Sequence, residues 1–173
     1  NGVQTDALEQ LIVEHRPKFV YLIPTFGNPS GAMLGLERRK KVLELAVKYQ
    51  TVVVEDDPYG DLYFGDAPPP SLLALSSQVP GSRELLVHCG SLSKVLSPGL
   101  RVGWMIAPAE LLAKATMCKQ FSDAHTSTFA QATAAQYLKA GRMPGTLAHV
   151  RKVYAERAQA MGDALRKELG DAI

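Results

Sequence analysis

The stretch Ser91-Leu92-Ser93-Lys94, with Arg101 seven residues beyond the lysine, holds the side chains best suited to chemistry in this chain. A lysine amine becomes a nucleophile toward an aldehyde once partial burial and nearby positive charge lower its pKa. Hydroxyls and a guanidinium together suit a phosphate. The lysine follows the apolar run Leu85-Leu86-Val87-His88-Cys89, which reads as a buried strand ending at Gly90. Isolated lysines are mostly solvated surface residues, so the segment gains its weight from its neighbours.

Two further polar clusters stand in equivalent places. Phe19-Val20-Tyr21-Leu22-Ile23 runs into Pro24-Thr25-Phe26-Gly27-Asn28-Pro29-Ser30-Gly31, and Thr51-Val52-Val53-Val54 runs into Glu55-Asp56-Asp57-Pro58-Tyr59-Gly60. Between these runs, residues 36–49 have the helical period, with Val42, Leu43, Ala46 and Val47 as the apolar stripe. Strand, helix, strand with continuous apolar strands predicts parallel neighbours buried on both faces. Ligands of such sheets lie beyond the carboxyl ends of the strands, where Asn28, Asp56 with Tyr59, and Ser91 to Lys94 all fall. Taken singly, each cluster has a plain alternative: a tight turn at Asn28-Pro29-Ser30-Gly31, a helix cap at Asp56, a packed aromatic at Tyr59, a strand-edge charge at Arg101. Taken together at one rim they suit a molecule carrying both an aldehyde and a phosphate, namely pyridoxal 5'-phosphate.

The motifs Asn28-Pro29-Ser30-Gly31, Asp56-Asp57-Pro58-Tyr59, Ser91-Leu92-Ser93-Lys94 and Gly99-Leu100-Arg101-Val102-Gly103-Trp104 resemble those of class I/II, fold-type I aminotransferases that depend on pyridoxal phosphate. The likeness covers nearly the whole chain and is nearest to the 2-aminoadipate and kynurenine aminotransferase group. Ser30 departs from the threonine more usual in the family, exchanging one small hydroxyl residue for another. The resemblance implies that Lys94 is the Schiff-base lysine and moves the substrate proton. It further implies that Asp56 pairs with the ring nitrogen, that Asn28 and Tyr59 bond the ring oxygen, and that Ser91, Ser93 and Arg101 hold the phosphate. The implied reaction is ping-pong transfer of an α-amino group from an amino acid to a 2-oxoacid, by a complete protein that is a homodimer. Two rivals share the fold: the effector domain of a transcription regulator bearing an N-terminal winged helix, and a pyridoxal-phosphate-dependent lyase.

The family also implies a chain of roughly two-domain size, so this sequence is expected to be a fragment, inactive by itself. Residues 1–143 would form the central part of the large domain, and 144–173 an interdomain helix leading to a small domain that is mostly absent. The substrate-carboxylate arginine would lie outside the chain. The expected fold is α/β, a mostly parallel sheet with one antiparallel strand and helices on both faces.

Composition agrees with a globular piece. Of the 173 residues 46% are hydrophobic, enough for a core, and no apolar run reaches the roughly 18 residues that would argue for a membrane span. Net charge of +2 gives no case for nucleic acid, and the run Arg38-Arg39-Lys40-Lys41 reads as a solvated helix face. His15, His88, His125 and His149 lack metal-ligand spacing and receive no role. Two cysteines, Cys89 expected buried and Cys118, give no disulfide framework, and the cytoplasm is the expected compartment.

The remaining elements follow from pattern. Asp6 and Glu9 offer a capping box for a helix over 6–15. Ala67-Pro68-Pro69-Pro70 excludes regular structure. Residues 101–107 read as a strand too close to its predecessor for a helical crossover, hence antiparallel. Helices are expected over 109–121, 127–140 and about 146–169, the last with Leu147, Val150, Tyr154, Met161 and Leu165 on one side and Met143-Pro144-Gly145 as a boundary before it.

Overall fold

The β-branched runs of the sequence pair into one mixed sheet in a computed structural model that describes residues 2–170. Its strands are β1 (Phe19–Leu22), β2 (Val52–Asp56), β3 (Leu86–Ser91) and β4 (Gly103–Ile106), ordered β1-β2-β3-β4. The first three are mutually parallel, and β4 runs antiparallel to β3, as the short connection between them requires.

Register decides what each face carries. Val20, Val53 and Leu86 lie abreast, as do Leu22, Glu55 and His88. This face meets α2 (Leu36–Tyr49), which follows α1 (Thr5–His15) in the chain. Leu22, Val53 and Leu86 pack with Val42, Leu43 and Ala46 of α2, and with Leu72 and Leu75 of the short helix α3 (Leu72–Leu75). Each fully buried leucine there contributes roughly 1.5–3 kcal/mol of apolar transfer energy. The opposite face holds Val54, Asp56, Val87 and Cys89, and its β1 residues Phe19 and Tyr21 are more than half exposed.

Three helices complete the chain: α4 (Ala109–Asp123), α5 (Thr128–Lys139) and α6 (Met143–Leu169). Ala134 of α5, with Met143 and Leu147 of α6, packs on Leu92 and Val95 just after β3, forming a second small core. Arg151 of α6 donates to the Asp61 carbonyl at 2.7 Å and stacks 3.8 Å above the Tyr63 ring. The long helix is thereby strapped to the loop that follows β2. No helix among the described residues is long and apolar enough to cross a membrane.

Four local expectations are corrected. Helix α1 starts at Thr5 with Gln4 as its uncapped N-terminal residue, and no capping box forms. Glu9 accepts instead from Lys48 Nζ and Tyr49 Oη on α2, both at 2.7 Å, and these donors lower its pKa. Met143-Pro144-Gly145 is the first turn of α6 rather than a break, since proline in a first turn forfeits no helical hydrogen bond. Cys89 is half-buried, because its side chain lies on the less covered face of the sheet. Within the basic run, Arg39 is fully buried, for a reason that emerges at the site.

Candidate functional site

Each parallel strand ends in a loop whose own hydrogen bonds set the side chains it presents. After β1, the Leu34 amide donates to the Pro24 carbonyl at 2.8 Å, closing residues 24–34 into a loop. Within it the Gly27 amide donates to Ala32 O (3.0 Å) and the Gly31 amide to Gly27 O (2.7 Å). The Ser30 hydroxyl accepts from the Ala32 amide and donates to Gly27 O. Asn28, joined to Pro29 by a cis peptide bond, stands at the head of this tight turn. Phe26 just before it has φ of 52°, a left-handed conformation that non-glycine residues adopt at a cost and that clusters at functional sites.

After β2, the Asp57 amide extends the ladder to Cys89 O (2.9 Å), and the Asp57 carboxylate accepts from the Gly60 amide (3.1 Å). Asp57 therefore caps the turn, and its neighbour Asp56 caps no helix. The Asp56 carboxylate instead accepts a 2.5 Å hydrogen bond from Tyr21 Oη, which pushes the Tyr21 pKa up to about 12. Burial, together with the Asp56 charge, pushes the Cys89 thiol up. After β3, the Ser93 amide donates to Ser91 Oγ (3.0 Å), and Leu92 turns back to Val102 O (3.0 Å). Arg101, itself left-handed at φ 53°, places its guanidinium 3.4 Å from Ser93 Oγ and 3.2 Å from Pro98 O.

Beneath the rim lies a buried charged layer. The fully buried Glu55 accepts from the Leu72 and Leu73 amides at 2.7 and 3.1 Å and meets His88 Nδ1 at 2.8 Å. That carboxylate raises the His88 pKa against the opposing effect of burial. Asp57 is raised chiefly by burial, and Arg39 is lowered by it. The Arg39 fork donates to Leu34 O (2.7 Å), Pro24 O (3.0 Å), Thr25 Oγ1 (2.8 Å) and Pro70 O (3.3 Å). One guanidinium thus grips both ends of the Asn28 loop and the stretch before α3.

Ser91, Ser93 and Arg101 are joined by hydrogen bonds, and Asp56 ends the strand next to theirs. Tyr59 and Lys94 line one hollow of about 440 Å³, along with Phe26, Leu62, Phe64 and Tyr154. Asn28 lines a separate hollow of about 600 Å³ shared with Tyr21, whose hydroxyl reaches Asp56. A larger hollow of about 780 Å³, bordered by His88, Trp104 and Leu138, includes only Ser91 of the expected residues. No cluster of metal-ligating side chains occurs among the described residues.

The family model for aminotransferase class I and II matches residues 1–172. The chain belongs to the class I and II aminotransferases. It is 45% identical, over 97% of its length, to the 2-aminoadipate transaminase of Thermus thermophilus, of which it spans 42%. The crystal structure of an α-aminoadipate aminotransferase from Thermus thermophilus, complexed with N-(5'-phosphopyridoxyl)-L-leucine, superposes with a TM-score of 0.90 at 44% identity. That superposition covers 96% of this chain and 42% of the other. An uncharacterized HTH-type transcriptional regulator of Bacillus subtilis is 33% identical over 98% of the chain, which spans 34% of it.

For this aminotransferase chain, the sequence pattern missed Tyr21, Glu55, His88 and Arg39. Tyr21 and Asp56 share a face only once Tyr21 is registered opposite Val54, which no single strand reveals. Glu55 and His88 sit abreast for the same reason. The signal for Glu55 was a charged residue at an inward position of an otherwise apolar strand.

Proposed function

We propose that this chain is the central, cofactor-holding part of a pyridoxal-phosphate-dependent aminotransferase that moves an α-amino group from an amino acid to a 2-oxoacid. What chiefly supports the reading is the Arg101–Ser93 contact in the same turn as Lys94, one strand away from Asp56. The donor chemistry fits the cofactor: two hydroxyls and a guanidinium for a dianion, an amine for an aldehyde, and a carboxylate for a cationic ring. When bound, pyridoxal phosphate supplies an aldehyde that captures amines and a ring that withdraws electrons from the substrate α-carbon.

The chain's own residues then have distinct tasks. Ser91, Ser93 and Arg101 bind the phosphate and so fix where the ring lies. Asp56 opposes the ring nitrogen and holds a proton there by its negative charge. Asn28 and Tyr59 orient the ring through its oxygen. Lys94 would take and return the proton at the substrate α-carbon. Helix α6 leads toward a second, smaller domain, and the complete protein acts as a homodimer in the cytoplasm.

The test is the visible spectrum of the complete, cofactor-loaded protein with a panel of amino acids. Loss of the bound-cofactor band with an amino acid, reversed by a 2-oxoacid, is the expected result. A band that no amino acid alters would favour the regulator, and ammonia released with a 2-oxoacid from a sulfur amino acid would favour the lyase.

A further inference from the structure

Tyr21 and Asp56 lie 35 residues apart in sequence, yet the phenol donates to the carboxylate Oδ2 at 2.5 Å. That length is typical of an O–H donor on an ionised carboxylate, about twice as strong as a neutral bond. The parallel register explains the reach. Tyr21 stands opposite Val54, two residues before Asp56 on the same face, and a tyrosine is long enough to span that diagonal. The torsion that turns a carboxylate about its last bond is otherwise broad. A donor on Oδ2 narrows it and leaves Oδ1 for a second partner. With its own pKa near 12, the phenol keeps its proton throughout the neutral range. Cys89, registered opposite Asp56, is held as the neutral thiol and brings no competing charge. Among the described residues Tyr21 is the hydrogen-bond partner of this carboxylate, the contact is made by its hydroxyl, and Tyr21 as a residue is 53% exposed.

We propose that Tyr21 is a positioning residue for Asp56, holding one carboxylate oxygen so that the other meets the pyridine nitrogen of the cofactor. The inference rests on the aminotransferase reading given above. Tyr21 touches neither cofactor nor substrate in this account, and its whole effect passes through Asp56.

A double-mutant cycle on the complete protein tests it, using Tyr21→Phe, Asp56→Ala and the two combined. Two quantities are read: the dissociation constant of pyridoxal phosphate from titration of the apoprotein, and the single-turnover rate at which an amino acid removes the cofactor band. Tyr21→Phe deletes one oxygen from an exposed ring, and the thermal midpoint checks that the fold is kept. Loss of one charged hydrogen bond predicts roughly a tenfold weaker cofactor and a slower single turnover for Tyr21→Phe. In the Asp56→Ala background, where no acceptor remains, the same change has no further effect on either quantity. Tyr21→His, which retains a ring N–H donor, recovers part of the loss and gives the readout if the Phe variant does not fold. Equal effects of Tyr21→Phe with and without Asp56 would overturn the positioning role while leaving the enzyme reading intact. An unmutated protein that binds no pyridoxal phosphate would overturn both.

Discussion

Replacing Arg39 by methionine removes the fork that grips Leu34 O, Pro24 O, Thr25 Oγ1 and Pro70 O without removing the bulk. Pro24 O keeps the Leu34 amide as partner, so the other three acceptors bear the loss. A buried acceptor left without its donor costs about 1–3 kcal/mol. Two effects offset this: relief of the burial cost that lowers the Arg39 pKa, and the apolar burial gained by methionine. The net expectation is about 2–4 kcal/mol, concentrated in the loop that presents Asn28. At about 1.4 kcal/mol per decade, local opening of residues 24–34 becomes roughly 30- to 700-fold more frequent. Hydrogen exchange followed by mass spectrometry on the complete protein reads this directly at the Gly31 and Leu34 amides. Arg39→Lys falls short of full rescue, since an ammonium cannot reproduce the planar fork. Exchange at those amides within about threefold of the unmutated protein would refute the clamp and return Arg39 to the status of a buried stem.

Other consequences can be checked as directly. Because Glu55 raises the His88 pKa, the stabilisation from their pairing is complete below the unfolded value of about 6.5 and is lost as pH rises through the folded value. The difference in melting temperature between the unmutated protein and His88→Gln should therefore shrink between pH 6 and pH 9; a constant difference would show that the pair does not titrate. A Cβ at Gly90 would sit 2.3 Å from Cε2 and Cζ2 of Trp104, so Gly90→Ala should cost about 1–3 kcal/mol by overpacking and shift the tryptophan fluorescence. Unchanged emission and stability would place the indole elsewhere. Arg101→Ala should weaken pyridoxal phosphate by about 1.5–3 kcal/mol in equilibrium titration, and an unaltered dissociation constant would remove Arg101 from the phosphate site. Lys94→Ala should abolish amino-acid turnover while leaving non-covalent cofactor binding through Arg101 and Asp56, and turnover at the normal rate would defeat the mechanism.

The strands and the three loop clusters were legible in the sequence because their signals are local. Val52 to Val54 and Leu85 to Val87 are apolar runs, and Asn28, Asp56 and Lys94 follow such runs directly. What escaped was set by partners distant in the chain. Arg39 looked solvated beside Arg38, Lys40 and Lys41, yet it is buried because carbonyls from residues 24, 34 and 70 converge on it. Glu9 looked like half of a capping box, but Lys48 and Tyr49 offer two donors against one amide. His88 looked idle until register set it beside Glu55. Helix α6 begins earlier than the Met143-Pro144-Gly145 signal implied, because proline and glycine break helices from within far more than at their first turn.

The turn carrying Lys94 and Arg101 joins neighbouring antiparallel strands and is sealed at its base by the Leu92–Val102 bond. Its contacts are close in sequence: Ser91 to Ser93, Ser93 to Arg101. The Tyr21–Asp56 contact instead requires two parallel strands separated by a whole helix. Closing a short loop costs less chain entropy and happens sooner than pairing distant strands. Topology therefore predicts assembly in two stages: the corner with the amine and guanidinium first, from local contacts, and the carboxylate side once the parallel sheet has paired.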